Sequence, residues 1–226
     1  MVSPTSPDGA PKEASGTGPR RADRAPTRAW IRMVGVFCAV FVPVYFGAGF
    51  LAAISGRARV LDLPFENDLP LVPWMIWPYL SVGMFFLLPL AHLRADEIDR
   101  LTRRMVATIL FAGVVFVVLP QRNLFPPPHV EGLEAPLFAL LDAVDTPHDL
   151  APSLHVAITA LIVAAVARRA PTVLVVVYAA WFALLTASTV MTHRHHLIDV
   201  ATGLMLALAV NAVRPRGDGV RTPSRR

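Results

Sequence analysis

The chain has 226 residues, of which 54% are hydrophobic and only 16% charged. A soluble domain carries about a quarter charged residues, so this balance argues against a soluble enzyme and for a membrane protein. The formal charge of +5 does not point to nucleic acid, because the basic residues flank apolar blocks and suit a protein facing anionic lipid. The single cysteine, Cys38, excludes an internal disulfide and any cysteine-based metal site. Lysine occurs only at Lys12, so cationic chemistry falls to Arg and His.

Residues 1–28 are rich in Pro, Ser, Gly, Ala and Arg without apolar periodicity, and read as a disordered tail. A bilayer-spanning helix needs about 20 apolar residues. Residues 29–213 hold six such candidates: Met33–Gly56, Leu69–Leu93, Met105–Leu119, Ser153–Ala167, Thr172–Thr189 and Leu197–Val213. The expected fold is therefore an all-α integral membrane protein, six transmembrane helices in one bundle. Mixed-charge loops are expected at Arg57–Asp68 and Arg94–Arg104. The loop at 120–152 holds five prolines between Pro120 and Pro136. Within it, Leu137, Leu140, Leu141 and Val144 form one face of a short interfacial helix. Residues 214–226 read as a basic tail.

With six spans, both tails, the Arg94–Arg104 loop and the Arg168–Arg169 turn share one side, which holds 17 of the 21 Lys and Arg residues. Arg57, Arg59, Arg122 and Arg194 fall on the other side. The positive-inside rule predicts that both termini are cytoplasmic, and that the 120–152 loop and the turn near residue 193 face outward.

Two outer helix ends carry the chemistry. In Pro152-Ser153-Leu154-His155, Ser153 is a favoured N-cap at the head of the fourth span. A helix N-terminus offers free N–H groups and partial positive charge to a phosphate, with His155 in the first turn beside it. The second end is Ser188-Thr189-Val190-Met191-Thr192-His193-Arg194-His195-His196-Leu197-Ile198-Asp199. His195 and Asp199 are four apart and share a helix face. A carboxylate there fixes the imidazole tautomer and makes the other nitrogen a better base or nucleophile. His155 and His195 are 40 residues apart, which suits two helices crossing out and back, so both motifs are expected on one membrane face.

The bland readings are a capping Ser153 with an interfacial His155, and an Asp199–Arg194 salt bridge that only anchors a helix end. A zinc site built from His193, His195, His196 and Asp199 is a further alternative. Adjacent His195 and His196 diverge on a helix, however, and there is no His-Glu-x-x-His pattern. His92, His129 and His148 read as interface or solvent contacts.

At these residues the sequence resembles the type 2 phosphatidic acid phosphatase superfamily. Pro152, Ser153 and His155 match its Pro-Ser-x-His motif; Ser188, His195 and Asp199 match its Ser-Arg-x5-His-x3-Asp motif in spacing. Thr189 stands where that motif has Arg, and the upstream Lys-x6-Arg-Pro motif is missing. The run Ser188, Thr189, Thr192, His195 resembles a branch that includes inositol phosphorylceramide synthase-like proteins. The resemblance covers roughly residues 70–213.

The resemblance implies a lipid phosphatase acting on a phosphate monoester or pyrophosphate at the outer face of the membrane, without metal or other cofactor. The alternatives are a lipid headgroup phosphotransferase of the same fold, or an inactive homologue. His195 would be the nucleophile, Asp199 its orienting partner and His155 the general acid and base. Ser153, Arg122, Arg194 and His193 would hold the phosphoryl oxygens. The partners implied are a lipid phosphate and membrane lipids, with no nucleic acid.

Overall fold

The structure is a computed structural model, and it describes residues 24–60, 62–125, 128–145 and 151–213. The first 23 residues and the basic tail at 214–226 lie outside the described residues, as does His148. Among the described residues the chain is helical, with no strand: α1 (Arg24–Ser55), α2 (Ile76–Leu80), α3 (Val82–Phe85), α4 (Leu88–His92), α5 (Ala95–Val118), α6 (Ala135–Val144), α7 (Leu154–Val166), α8 (Thr172–Met191) and α9 (Leu197–Ala212).

Three helices, Ala25–Ser55, Ala95–Val118 and Thr172–Met191, are long and apolar enough to cross a bilayer. The helices α7 and α9 match the fourth and sixth predicted spans closely, but with 13 and 16 residues they are shorter than a full crossing. The second predicted span, Leu69–Leu93, is a chain of short pieces, α2 to α4 with 3-10 turns before them. Pro73, Pro78 and Pro89 account for the breaks, since each lacks the N–H that a continuous helix requires.

Two boundaries differ from expectation. Residues 24–28 belong to α1 rather than to the tail; Pro26 sits in the first turn, where the missing N–H costs nothing. The charged stretch Arg94–Arg104 is not a loop but the first turns of α5. Its charges pair along the helix, Arg100 with Asp96 at 2.9 Å and Arg94 with Glu97 at 3.5 Å, and two acidic residues occupy the first turn.

Ion pairs fix the ends of the bundle. Arg32 of α1 pairs with Asp99 of α5, and Arg169, just after α7, pairs with Glu97 at 2.9 Å. The first turns of α5 and the α7–α8 turn therefore share one end. At the other end, the Arg59 N–H donates to the Pro120 carbonyl at 2.9 Å, tying the exit of α1 to the exit of α5. At 24 residues, α5 separates the two ends by roughly 36 Å. The core between them is apolar: Met33, Ile98, Leu101, Met105, Ile109, Phe116, Ile162 and Leu185 are all buried.

The predicted helix in the long loop is present as α6. Phe138 is the residue sunk into the protein, against Ile76 and Tyr79, with Leu137 and Leu141 beside it. Leu140 and Val144 are exposed.

Candidate active site

The two motifs meet at one end of the bundle. Ser153 is the N-cap of α7; its hydroxyl accepts from the Val156 N–H at 3.5 Å, which leaves His155 in the first turn. Its own N–H donates to the carbonyl of Asp199 at 3.0 Å, so the start of α7 is bonded to the first turn of α9. Gly203, one turn further along α9, permits this approach. A Cβ there would lie 2.6 Å from the Ser153 carbonyl oxygen.

His195 Nδ1 lies 3.3 Å from Asp199 Oδ2. A carboxylate only accepts, so Nδ1 carries the hydrogen and Nε2 keeps its lone pair. The same oxygen accepts the His196 N–H at 2.7 Å, which caps α9 and holds the carboxylate in place. Asp199 is fully buried. The ring of His155 stands 5.9 Å from that of His195, at an interplanar angle of 64°, and rests on Tyr79 at 4.6 Å. Among the described residues, neither His155 nitrogen has a hydrogen-bond partner.

Both histidines line a cavity of about 300 Å³. Its walls come from Phe37, Phe41 and Phe46 of α1, Phe86 after α3, and Phe116 of α5. Three aromatic rings of α1 stack in succession, Phe37 on Phe41 at 5.3 Å and Phe41 on Tyr45 at 5.1 Å. Tyr45, Tyr79 and Asp145 add polar atoms near the histidines.

The four residues expected to bind phosphate do not line this cavity. Ser153 is buried and caps. Arg194 is clamped by α6: it pairs with Asp142 at 2.7 Å, approaches Asp145 at 3.9 Å and lies over the Phe138 ring at 5.4 Å. The bland alternative, an Asp199–Arg194 salt bridge, is not formed: Arg194 pairs with Asp142 and Asp199 with His195. His193 adopts a left-handed backbone (φ 58), and its Nε2–H donates to the Leu69 carbonyl at 3.1 Å. Its ring stacks on Phe125 at 4.2 Å, and burial lowers its pKa below the ordinary value. Arg122 is exposed, its N–H donating to the Arg59 carbonyl at 2.9 Å and its guanidinium without a partner among the described residues.

The clustered histidines do not converge. His193 faces Leu69, His195 faces Asp199, and His196 Nδ1 meets Glu66 Oε2 at 2.7 Å. The other weak candidates lie apart: His92 bonds the Tyr178 hydroxyl at 3.0 Å near the opposite end, and His129 is exposed.

Sequence reasoning missed two acidic residues. Glu66 is fully buried although it sits in a short loop of mixed charge. Its Oε1 accepts the Leu197 N–H at 2.8 Å, at the head of α9, while Oε2 binds His196. Asp145 stands at the end of α6 and in the cavity wall. Burial raises the pKa of its carboxyl, against the opposing pull of His195 and Arg194. No local pattern marks either residue; a lone acid in a loop reads as solvated until the fold covers it.

The fold and site together define a helical protein with apolar helices of membrane-spanning length and a His–His–Asp cluster opening on an apolar cavity. No protein-family model matches the chain, and no curated protein matches it.

Proposed function

We propose that the chain is a six-crossing membrane enzyme of the type 2 phosphatidic acid phosphatase kind, which hydrolyses a lipid phosphate monoester or pyrophosphate through a phosphohistidine. The observation that carries this reading is the pairing of His155 and His195, 5.9 Å apart at the wall of an apolar cavity, with Asp199 behind His195. One imidazole has its hydrogen committed to a carboxylate and its lone pair available. The other has no competing partner among the described residues. The cavity supplies an apolar surface for a lipid chain beside them.

The reaction follows from these positions. The His195 Nε2 lone pair attacks phosphorus, and the bond from phosphorus to the lipid oxygen breaks. His155, protonated, delivers its proton to that oxygen. Asp199 stabilises the resulting imidazolium-like phosphohistidine through Nδ1–H. Water then attacks phosphorus and gives its proton to His155, and the P–N bond breaks. Inorganic phosphate leaves with both histidines in their starting forms. Arg122, with an uncommitted guanidinium, and Arg194 would supply positive charge to the phosphoryl oxygens as a ligand arrives. Asp142 holds Arg194 until then.

The orientation follows the charges. The end carrying Arg32, Arg100 and Arg169 is assigned to the cytoplasm, and the histidine end to the outer face. A lipid headgroup phosphotransferase is the second reading, favoured by the aromatic wall around His155, which suits an alcohol on a lipid better than bulk water.

The test is a panel of radiolabelled lipid phosphates with purified protein in detergent and excess chelator, with and without an added lipid alcohol. Phosphate release that survives chelation is the expected result. A new phospholipid formed only with the alcohol selects the transferase. Activity that appears only with added metal, or no turnover of any lipid, overturns the proposal.

A further inference from the structure

The cavity is apolar except where Asp145, Tyr45 and Tyr79 join the two histidines. An ionisable group in such a wall is costly unless a partner satisfies it. The partners of Asp145 are loose: the Tyr45 hydroxyl donates to Oδ1 at 3.3 Å, and Arg194 stands 3.9 Å from Oδ2. Clamping Arg194 does not explain the residue, because Asp142 already holds that guanidinium at 2.7 Å. Glu66 shows what a purely structural acid looks like in this protein, with its contacts to His196 at 2.7 Å and Leu197 at 2.8 Å. The Asp145 carboxylate thus retains acceptor capacity on the cavity side.

A carboxylate beside a phosphoryl-transfer site repels phosphate. It contributes to binding only if the ligand brings a hydrogen-bond donor to it. We propose that Asp145, with Tyr45, is a specificity subsite for a hydroxyl or ammonium group carried by the lipid close to its phosphate. This rests on the phosphoryl-transfer reading above and narrows it: simple alkyl or prenyl phosphates carry no such donor.

The test uses full-length protein in mixed micelles with three probes: lysophosphatidic acid, which carries a hydroxyl; sphingosine 1-phosphate, which adds an ammonium; and hexadecyl phosphate, which carries neither. The wild type is expected to favour one or both donor-bearing lipids over hexadecyl phosphate by about tenfold or more in kcat/KM, as one well-made hydrogen bond to a charged group allows. Preference for both assigns the hydroxyl, and preference for sphingosine 1-phosphate alone assigns the ammonium. Asp145→Ala is expected to bring the ratio to about one, whereas Asp142→Ala, which loosens only the Arg194 clamp, keeps it. Equal kcat/KM for all three lipids in the wild type overturns the subsite. So does a preference that survives Asp145→Ala, even where overall activity falls. If no lipid is turned over, the catalytic reading has failed. Ligand-induced thermal shifts with the same three lipids then decide the subsite, which stands if the preference in binding vanishes in Asp145→Ala and falls if there is none.

Discussion

The N–H of Ser153 donates to the carbonyl of Asp199 at 3.0 Å, and this one main-chain bond joins the two sequence motifs. It places the residue two before His155 against the residue four after His195. The spacing of the two imidazoles is therefore set by backbone, not by flexible side chains.

Gly203 guards that junction. A methyl group there meets the Ser153 carbonyl oxygen at 2.6 Å, and backbone cannot swing aside as a side-chain tip can. Gly203→Ala should force α7 and α9 apart, at a cost of about 1–3 kcal/mol, as overpacking typically brings. Thermal unfolding in detergent should show the loss, and turnover should fall further than stability alone explains. A variant with wild-type melting temperature and activity would mean that the junction does not set the site.

Glu66 should prove indispensable to the head of α9. Its buried carboxylate accepts from the part-buried Leu197 N–H and from the buried His196 ring. Glu66→Ala leaves these donors unsatisfied at about 1–3 kcal/mol each. Glu66→Gln keeps one acceptor oxygen and should recover part of the melting temperature. Equal unfolding temperatures for the wild type and Glu66→Ala would refute the role.

The two outer arginines should behave differently. Arg122 is exposed and unpaired among the described residues, so Arg122→Ala should raise KM without lowering the melting temperature. Arg194 has a 10% exposed side chain, with carboxylate partners on α6. Arg194→Ala should lower both stability and kcat/KM, the latter roughly 10- to 100-fold if a charged hydrogen bond to phosphate is lost. Unchanged KM in both variants would remove arginine from the account of phosphate binding.

Side-specific labelling can check the orientation. With Cys38 replaced, single cysteines at the exposed positions Glu131 and Arg103 should react from opposite faces of the membrane, Glu131 from outside. Labelling of both from the same face would defeat the six-crossing arrangement.

Much of this was legible in the sequence, and the gaps have physical causes. Helices α7, α8 and α9 follow from uninterrupted apolar runs, and the meeting of His155, His195 and Asp199 follows from their spacing along such runs. The start of α5 was hidden because Asp96, Glu97 and Arg100 read as loop, although at three and four residues apart these charges stabilise a helix. The broken stretch around Pro78 and Pro89 was hidden by its hydrophobicity, which satisfies a membrane pattern whether or not the helix is continuous. Glu66 and Asp145 could not be read at all. Their placement depends on contacts between segments 130 and 100 residues apart, Glu66 with His196 and Asp145 with Tyr45, and no local periodicity encodes that.

The most direct test of the central claim is rapid-quench trapping of acid-labile phosphohistidine with a radiolabelled lipid phosphate. The wild type should form it, and His195→Ala should form none from any substrate. His155→Ala loses the general acid, worth about 10²–10⁴-fold, so it should form the intermediate slowly from lipid and faster from a nitrophenyl phosphate, whose leaving group needs little protonation. Asp199→Asn should fall between the two. If His195→Ala still formed the phosphoenzyme and His155→Ala did not, the roles assigned to the two histidines would be contradicted.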